Sequence, residues 1–189
     1  MRPLLTIGMA TYQDYDGVYF TLQALRLHQD LDSVELLVID NFGCDATRQL
    51  VEGWTGGRYL RFREAQGTAA PRDRLFREAR GRAVLCLDSH VLLAPGAVAR
   101  LKRYYRDHPR TRDLLQGPLL YDDLRTLASH FDPVWRDGMW GVWAIDPRAE
   151  NPRGRPFDIP MQGLGLFSCR KAAWSRRQHP ATFSIPRWH

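Results

Sequence analysis

The stretch RAVLCLDSHVLL, Arg82 to Leu93, decides how the rest of the chain is read. Ala83 to Leu87 form an apolar run of strand length, closed by Asp88, Ser89 and His90 before the chain turns apolar again. Such a run predicts a strand buried on both faces, as in a parallel sheet. An ionised carboxylate leaving water at the end of that strand is costly unless it is paired or bound to metal. Asp88 therefore needs a partner, a crevice open to water, or a cation.

Working outward, the same pattern repeats upstream. LLTIGM (4–9) and ELLVID (35–40) predict two further buried strands, and RYLRF a third. Between them GVYFTLQALRLH places Val18, Leu22 and Leu25 on one helical face, and CDATRQLVEGW predicts a helix with Asp45 as a candidate cap. PRDRLFREARG predicts a helix with Pro71 in its first turn and Gly81 just past its end. After the Asp88 strand, PGAVARLKRYYRDH predicts a helix opening at Pro95. Alternating strands and helices mean an α/β fold with a mostly parallel central sheet flanked by helices, Rossmann-like, because parallel neighbours need a crossover connection.

Beyond about Gln116 the composition shifts to Pro, Gly, Asp and Trp, which favours turns and loops over regular elements. GLGLFSC predicts one last strand, followed by RKAAW. The later part is too short and irregular to own a core, so the expectation is a single domain over 1–189. Within it, about 1–115 is the ligand-binding part and about 116–189 an extension.

Length and composition agree with an ordinary globular domain: 189 residues, 44% hydrophobic and 25% charged. MRPLLTIGMATY lacks the long apolar region and small-residue cleavage site of a signal peptide, and no segment is apolar enough to span a membrane. Cys44, Cys86 and Cys169 are odd in number and lack metal-ligand spacing, which fits a reducing cytoplasm. The net charge of +6 is almost all arginine, Lys102 and Lys171 being the lysines. This balance permits phosphate or nucleic-acid partners and leaves room for peripheral contact with an anionic membrane. No recognition-helix, RNA-binding or zinc-finger signature accompanies the scattered cations, so a nucleic-acid-binding module is not expected.

Two buried strands end in aspartate, Asp40 and Asp88. Open α/β sheets bind ligands outside the carboxyl ends of their strands, near the point where strand order reverses, so both carboxylates are expected to face one crevice. The competing explanation is that each caps a following turn or helix. Asp40 precedes Asn41 and Gly43, where a local turn suffices. His90 stands two residues beyond Asp88, on the same side of an extended segment. Carboxylate with imidazole suits Mn²⁺, and zinc less well without further nitrogen or sulfur ligands.

With these residues in place, TIGMATYQDYDGVYFTLQAL, VELLVIDNFGCDAT and GTAAPRDRLFREARGRAVLCLDSHVLL resemble the nucleotide-sugar-binding region of family 2 glycosyltransferases of the GT-A fold. The resemblance implies that Ala10, Thr11 and Tyr12 contact the nucleotide, Asp40 takes the base, and Arg72 approaches base or phosphate, with Arg74 in reserve. Asp88, Ser89 and His90 stand where the family carries a D-x-D triplet that holds the metal on the diphosphate. This D-x-H form is similar to that of polypeptide N-acetylgalactosaminyltransferases. Implied ligands are Mn²⁺ or Mg²⁺ and a nucleoside-diphosphate sugar, with UDP-sugars favoured.

The resemblance resumes at PMQGLGLFSCRKAAW, where Gly163, Leu164 and Gly165 match backbone that lines the sugar pocket; a tight turn is the alternative. In the family a carboxylate of an acidic pair after this strand takes the acceptor proton. Here SRRQHPATFSIPRWH follows, and no Asp or Glu comes after Asp158. The base then comes from Asp122, Asp146 or Asp158, or the mechanism does without one, or the protein binds nucleotide sugars without transferring them. His179 or His189 would complete a metal shell as a later histidine does in D-x-H relatives. Trp135, Trp140 and Trp143 suit either an acceptor sugar or loop anchoring. The acceptor, whether glycan, lipid, peptide or small molecule, and the oligomeric state stay open.

Overall fold

The computed structural model describes residues 2–64, 67–151 and 153–177, with side chains as far as Trp174. The chain resolves into two compact units, 1–114 with 168–189, and 115–167.

In the first unit the alternation appears as β1 (Leu5–Thr11), α1 (Tyr15–His28), β2 (Val34–Asp40), α2 (Asp45–Glu52), β3 (Gly57–Arg61), α3 (Ala69–Glu78), β4 (Ala83–Asp88) and α4 (Ala97–Asp107). β9 (Leu166–Arg170) and α5 (Lys171–Arg177) close it. The sheet order is β3-β2-β1-β4-β9, and β1 pairs in parallel with both β2 and β4. The chain thus winds outward from β1 to β3, then returns to β1's other side through β4. Strand order reverses between β1 and β4, which opens a crevice at their carboxyl ends.

Leu5, Ile7 and Met9 of β1, Leu37 to Ile39 of β2 and Val84 to Leu87 of β4 are buried on both faces. Each large aliphatic side chain so placed contributes about 1.5 to 3 kcal/mol. α3 lies close to β1 because Gly8 has no side chain: a Cβ there would sit 2.4 Å from Leu75 Cδ1. The Phe76 ring stacks on Trp174 at 4.0 Å, tying α3 to α5. β9 is anchored by Ser168, whose hydroxyl donates to Val84 O at 2.7 Å and lies 2.8 Å from the Tyr105 hydroxyl. Burial pushes the neighbouring Cys86 thiol up to about 12, as expected of an inert core cysteine.

Several boundaries differ from the sequence reading. Asp45 is the first residue of α2 and pairs with Arg48 at 3.3 Å, while Cys44 holds the cap position. Pro71 is the third residue of α3, and that helix ends at Glu78, before Gly81. α4 starts after Gly96, which adopts φ 76, instead of at Pro95.

The second unit is more regular than its composition suggested. It holds β5 (Leu119–Leu120) paired with β6 (Leu127–Ala128), and β7 (His130–Trp135) paired antiparallel with β8 (Met139–Ala144). A short 3-10 turn spans Pro147–Glu150. Asp137 (φ 50) and Gly138 (φ 145) make the β7–β8 turn, and an Asp-Gly pair between apolar runs is a strong hairpin signal. No helix among the described residues is long and apolar enough to cross a membrane.

Candidate functional site

β1 delivers Ala10 and Thr11 to the reversal point, with Tyr12 just beyond. Thr11 is 5% exposed and its hydroxyl has no hydrogen-bond partner, while its carbonyl accepts the Asn41 N–H at 3.0 Å. Tyr12 is 65% exposed, and its ring lies edge-on to Phe42 with centroids 5.7 Å apart.

Asp88 ends β4 with its carboxylate partly open to solvent. Its partner is Arg72, whose Nη2 donates to Asp88 Oδ1 while Nη1 donates to Thr68 O at 3.0 Å. Arg72 is nearly buried and its Nε–H has no partner. Arg72 therefore neutralises the strand-end carboxylate. Arg74 instead pairs with Glu78 at 2.9 Å, one turn along α3.

The rest of the triplet meets a residue that sequence reasoning missed. Ser89 donates to Asp14 Oδ2 at 2.5 Å, and His90 Nδ1 lies 3.5 Å from the same oxygen. Asp14 also caps α1, accepting the Gly17 N–H at 3.0 Å. The Ser89 hydroxyl holds the Asp14 carboxyl below the usual carboxylate range, helped by Gly17 and His90 against partial burial. Thr21 of α1 donates to Ser89 O at 2.7 Å, so the triplet's backbone and side chains are both fastened to α1.

Asp40 sits differently from the expectation of one shared crevice. It pairs in register with Thr11, whereas Asp88 pairs with Ala10. Neighbouring residues in register share a face and successive residues alternate, so the two carboxylates leave the sheet on opposite faces, at the same edge. Asp40 is 1% exposed. Its Oδ1 accepts the Phe42 and Gly43 N–H groups, both at 2.8 Å, and its Oδ2 accepts Cys44 N–H at 2.9 Å and Tyr59 O–H at 2.7 Å. The local-turn alternative accounts for this geometry.

No group of three or more His, Cys, Asp or Glu able to hold a metal occurs among the described residues. Asp88 and His90 nonetheless supply an oxygen and a nitrogen donor of the kind Mn²⁺ accepts. Asp88 already faces a cation, Arg72, and two donors leave most of an octahedral shell to a bound ligand. A metal held jointly with a diphosphate would use donors of these types; here Asp88 is engaged by Arg72 and His90 lies beside Asp14. His179 and His189 lie outside the described residues.

In the second unit Gly163 packs under Trp143. A Cβ there would sit 2.9 Å from that ring, which is itself tilted against Phe131 at 4.0 Å. Gly163 N–H donates to Gln116 Oε1 at 2.7 Å, Leu164 is 40% exposed and Gly165 is half-buried. Trp143 therefore serves as an anchor, while Trp135 and Trp140 are more exposed. Among the candidate bases, Asp122 and Asp158 are exposed. Asp146 bonds to Arg148, which holds its carboxyl at about 2, a poor match for general-base work at neutral pH. Asp132, not singled out from the sequence, is exposed and lies 3.1 Å from His130 Nε2.

Comparison with known proteins gives the class. The model of the family "Glycosyl transferase family 2" matches residues 6–174, and the chain belongs to that family. Among solved structures it is similar to the mannosyltransferase PcManGT from Pyrobaculum calidifontis, in complex with GDP-Man and Mn²⁺. That match has 18% identity and a TM-score of 0.62, and covers 93% of this chain and 47% of that one. It is also similar to S. aureus TarS 1-349 in complex with UDP-GlcNAc, at 20% identity and TM-score 0.54, covering 61% and 34%. A second TarS 1-349 structure matches at 15% identity and TM-score 0.63, covering 89% and 47%. These are likenesses of fold, the GT-A fold, and the chain spans less than half the length of each. No curated protein sequence matches.

Proposed function

We propose that the protein transfers a sugar from a nucleoside-diphosphate sugar to an acceptor hydroxyl, with a divalent cation, Mn²⁺ or Mg²⁺, held by Asp88 and His90 together with the donor's diphosphate. The observation that carries this reading is Asp88 at the reversal point of the sheet, partly open to solvent and engaged by the guanidinium of Arg72. A bound cation would act there as a Lewis acid on the departing diphosphate, where negative charge develops as the glycosidic bond breaks.

The chain's own residues have separate tasks in this account. Arg72 orients Asp88 and offers a guanidinium suited to a phosphate oxygen. Ser89, Asp14 and Thr21 hold the loop after β4 against α1, with the exposed His90 beside Asp14. Ala10, Thr11 and Tyr12, at and just beyond the carboxyl end of β1, are assigned to the nucleotide. On the family resemblance, Gly163, Leu164 and Gly165 are assigned to the sugar and Asp158 to proton removal. The neighbours' titles, with GDP-Man and Mn²⁺ in one and UDP-GlcNAc in the other, support a nucleotide-sugar donor. Three free cysteines support a reducing, cytoplasmic setting.

A second reading, binding without transfer, is favoured by the weak basicity of Asp146. A thermal-shift panel of UDP-, GDP- and dTDP-sugars with and without Mn²⁺ tests both readings, because a ligand bound to the native state raises apparent stability. UDP-sugars are the first to try. Metal-dependent shifts with donor turnover support transfer, shifts without turnover support the second reading, and no shift for any donor contradicts both.

A further inference from the structure

We infer that the amino-terminal edge of the central sheet docks on an anionic membrane surface through a cluster of cations, Arg2, Arg58, Arg80, Arg82 and Lys171, that outnumber the carboxylates around them. This edge lies opposite the one at which Asp88 ends β4, and the inference is independent of donor binding.

The chain comes to this edge four times. Arg2 precedes β1, Arg58 stands near the start of β3, Arg80 and Arg82 connect α3 to β4, and Lys171 follows β9. Main-chain bonds draw the segments together: Arg82 N–H donates to Pro3 O at 3.2 Å, and Lys171 N–H donates to Arg82 O at 3.1 Å. Side chains then converge on the end of α3. Arg2 Nε–H donates to Arg80 O at 2.9 Å, and the Lys171 ammonium donates to Arg77 O at 2.8 Å and Ala79 O at 2.7 Å. Carbonyls are neutral acceptors, so these bonds collect positive charge at the helix end, which offers only about half a negative charge in return.

The carboxylates that pair with the four arginines are Glu35 and Glu78. Arg58 takes both, at 2.6 and 3.6 Å, and Glu35 also lies 3.9 Å from Arg80 Nε. Among the described residues neither Arg2 nor Arg82 pairs with a carboxylate. Lys171 registers the excess: burial lowers its pKa most, and the Arg2 guanidinium lowers it next. The Arg80 side chain is 67% exposed, and Arg2 and Arg82 are exposed as well, so the excess faces water.

Like charges held together cost stability until an anion answers them. No large hydrophobic side chain of these segments is exposed, so the edge lacks the aromatic platform on which single-stranded nucleic acid stacks. The exposed arginines stand on strand approaches and connections, with no helix presented for a duplex groove. Point charges spread over several segments suit many phosphate headgroups at once, each contributing about 1 kcal/mol near an anionic membrane. Docking at this edge leaves the crevice at the opposite edge open.

The test is co-sedimentation of the full chain with phosphatidylcholine vesicles, with and without about 30% phosphatidylglycerol, between about 50 and 300 mM salt. Wild type binds only the anionic vesicles, and its binding falls steeply with salt. The Arg80→Gln/Arg82→Gln double variant weakens binding by about tenfold or more. Arg48→Gln, in the first turn of α2 at the other edge, leaves it unchanged. Equal weakening by Arg48→Gln would mean that net charge alone acts, and overturns the assignment to this edge. Tighter binding of a labelled oligonucleotide or of polyglutamate than of anionic vesicles at the same salt overturns the membrane as partner. So does an absence of vesicle binding at the lowest salt.

Discussion

Arg72 of α3 and Asp88 of β4 form an ion pair across the sheet-helix interface, sixteen residues apart in the chain, with the guanidinium 10% and the carboxylate 27% exposed. The pair explains how an acidic residue can end a buried strand, and it places a cation where the proposed metal would act.

Replacing Arg72 with Met therefore removes a charged hydrogen bond and leaves Asp88 uncompensated. The expected loss is about 1.5 to 3 kcal/mol in metal-free protein. A divalent cation can take over the guanidinium's charge, so Mn²⁺ raises the Tm of Arg72→Met more than that of wild type. Scanning fluorimetry with Mn²⁺ and with EDTA measures both, and equal metal responses would argue against a shared cation position.

How far the site could be read from sequence depended on which interactions set each residue. β1, β2 and β4 were legible because strands buried on both faces are continuous apolar runs. Asp88 was legible as an anomaly within one. Asp14 was not, because its bond to Ser89 spans 75 residues; the local signal it carries, an Asp at the start of α1, points only to a helix cap. Nor were the opposed faces of Asp40 and Asp88, which follow from a one-residue offset in register on either side of β1. The β7–β8 hairpin did carry a local signal in Asp137-Gly138, outweighed in the reading by the density of Pro and Gly around it.

Asp14 joins the cap of α1 to the loop after β4. Asp14→Ala should lower stability by about 1 kcal/mol through the lost cap. Its folded pKa is lowered, so its contribution is present above the unfolded value of 3.8 and lost as pH falls through the folded one. Chemical denaturation of wild type and Asp14→Asn between pH 7 and 2.5 checks this, with a shallower acid decline expected in the variant.

Glu35, at the opposite end of β2 and 4% exposed, is a stability element distinct from the site. Burial alone would raise its pKa. Bonds from the Thr6 hydroxyl at 2.6 Å, Arg58 at 2.6 Å and the Arg80 N–H at 2.7 Å outweigh that and lower it. The network stabilises fully above the unfolded value of 4.5 and fails as pH drops through the folded pKa. Glu35→Ala removes this partner from Arg58, which keeps Glu78, and should cost about 1.5 to 3 kcal/mol, measured by urea unfolding at pH 7. A loss below 1 kcal/mol would contradict the assignment.

Gly43 holds the turn after β2 at φ 86. Gly43→Ala should destabilise by about 1 to 2 kcal/mol from backbone strain, with displacement of Arg61 in addition. Thermal unfolding reads the loss, and an unchanged Tm would mean that the turn adopts another conformation.

The central claim is that Asp88 and His90 hold a divalent cation together with the donor's diphosphate. Its most direct test is the Mn²⁺-dependent Tm shift produced by a nucleoside-diphosphate sugar in wild type, Asp88→Asn and His90→Ala. The account predicts a shift in wild type that is abolished in Asp88→Asn and reduced in His90→Ala, with both variants folded. A full metal-dependent shift retained in Asp88→Asn would contradict it.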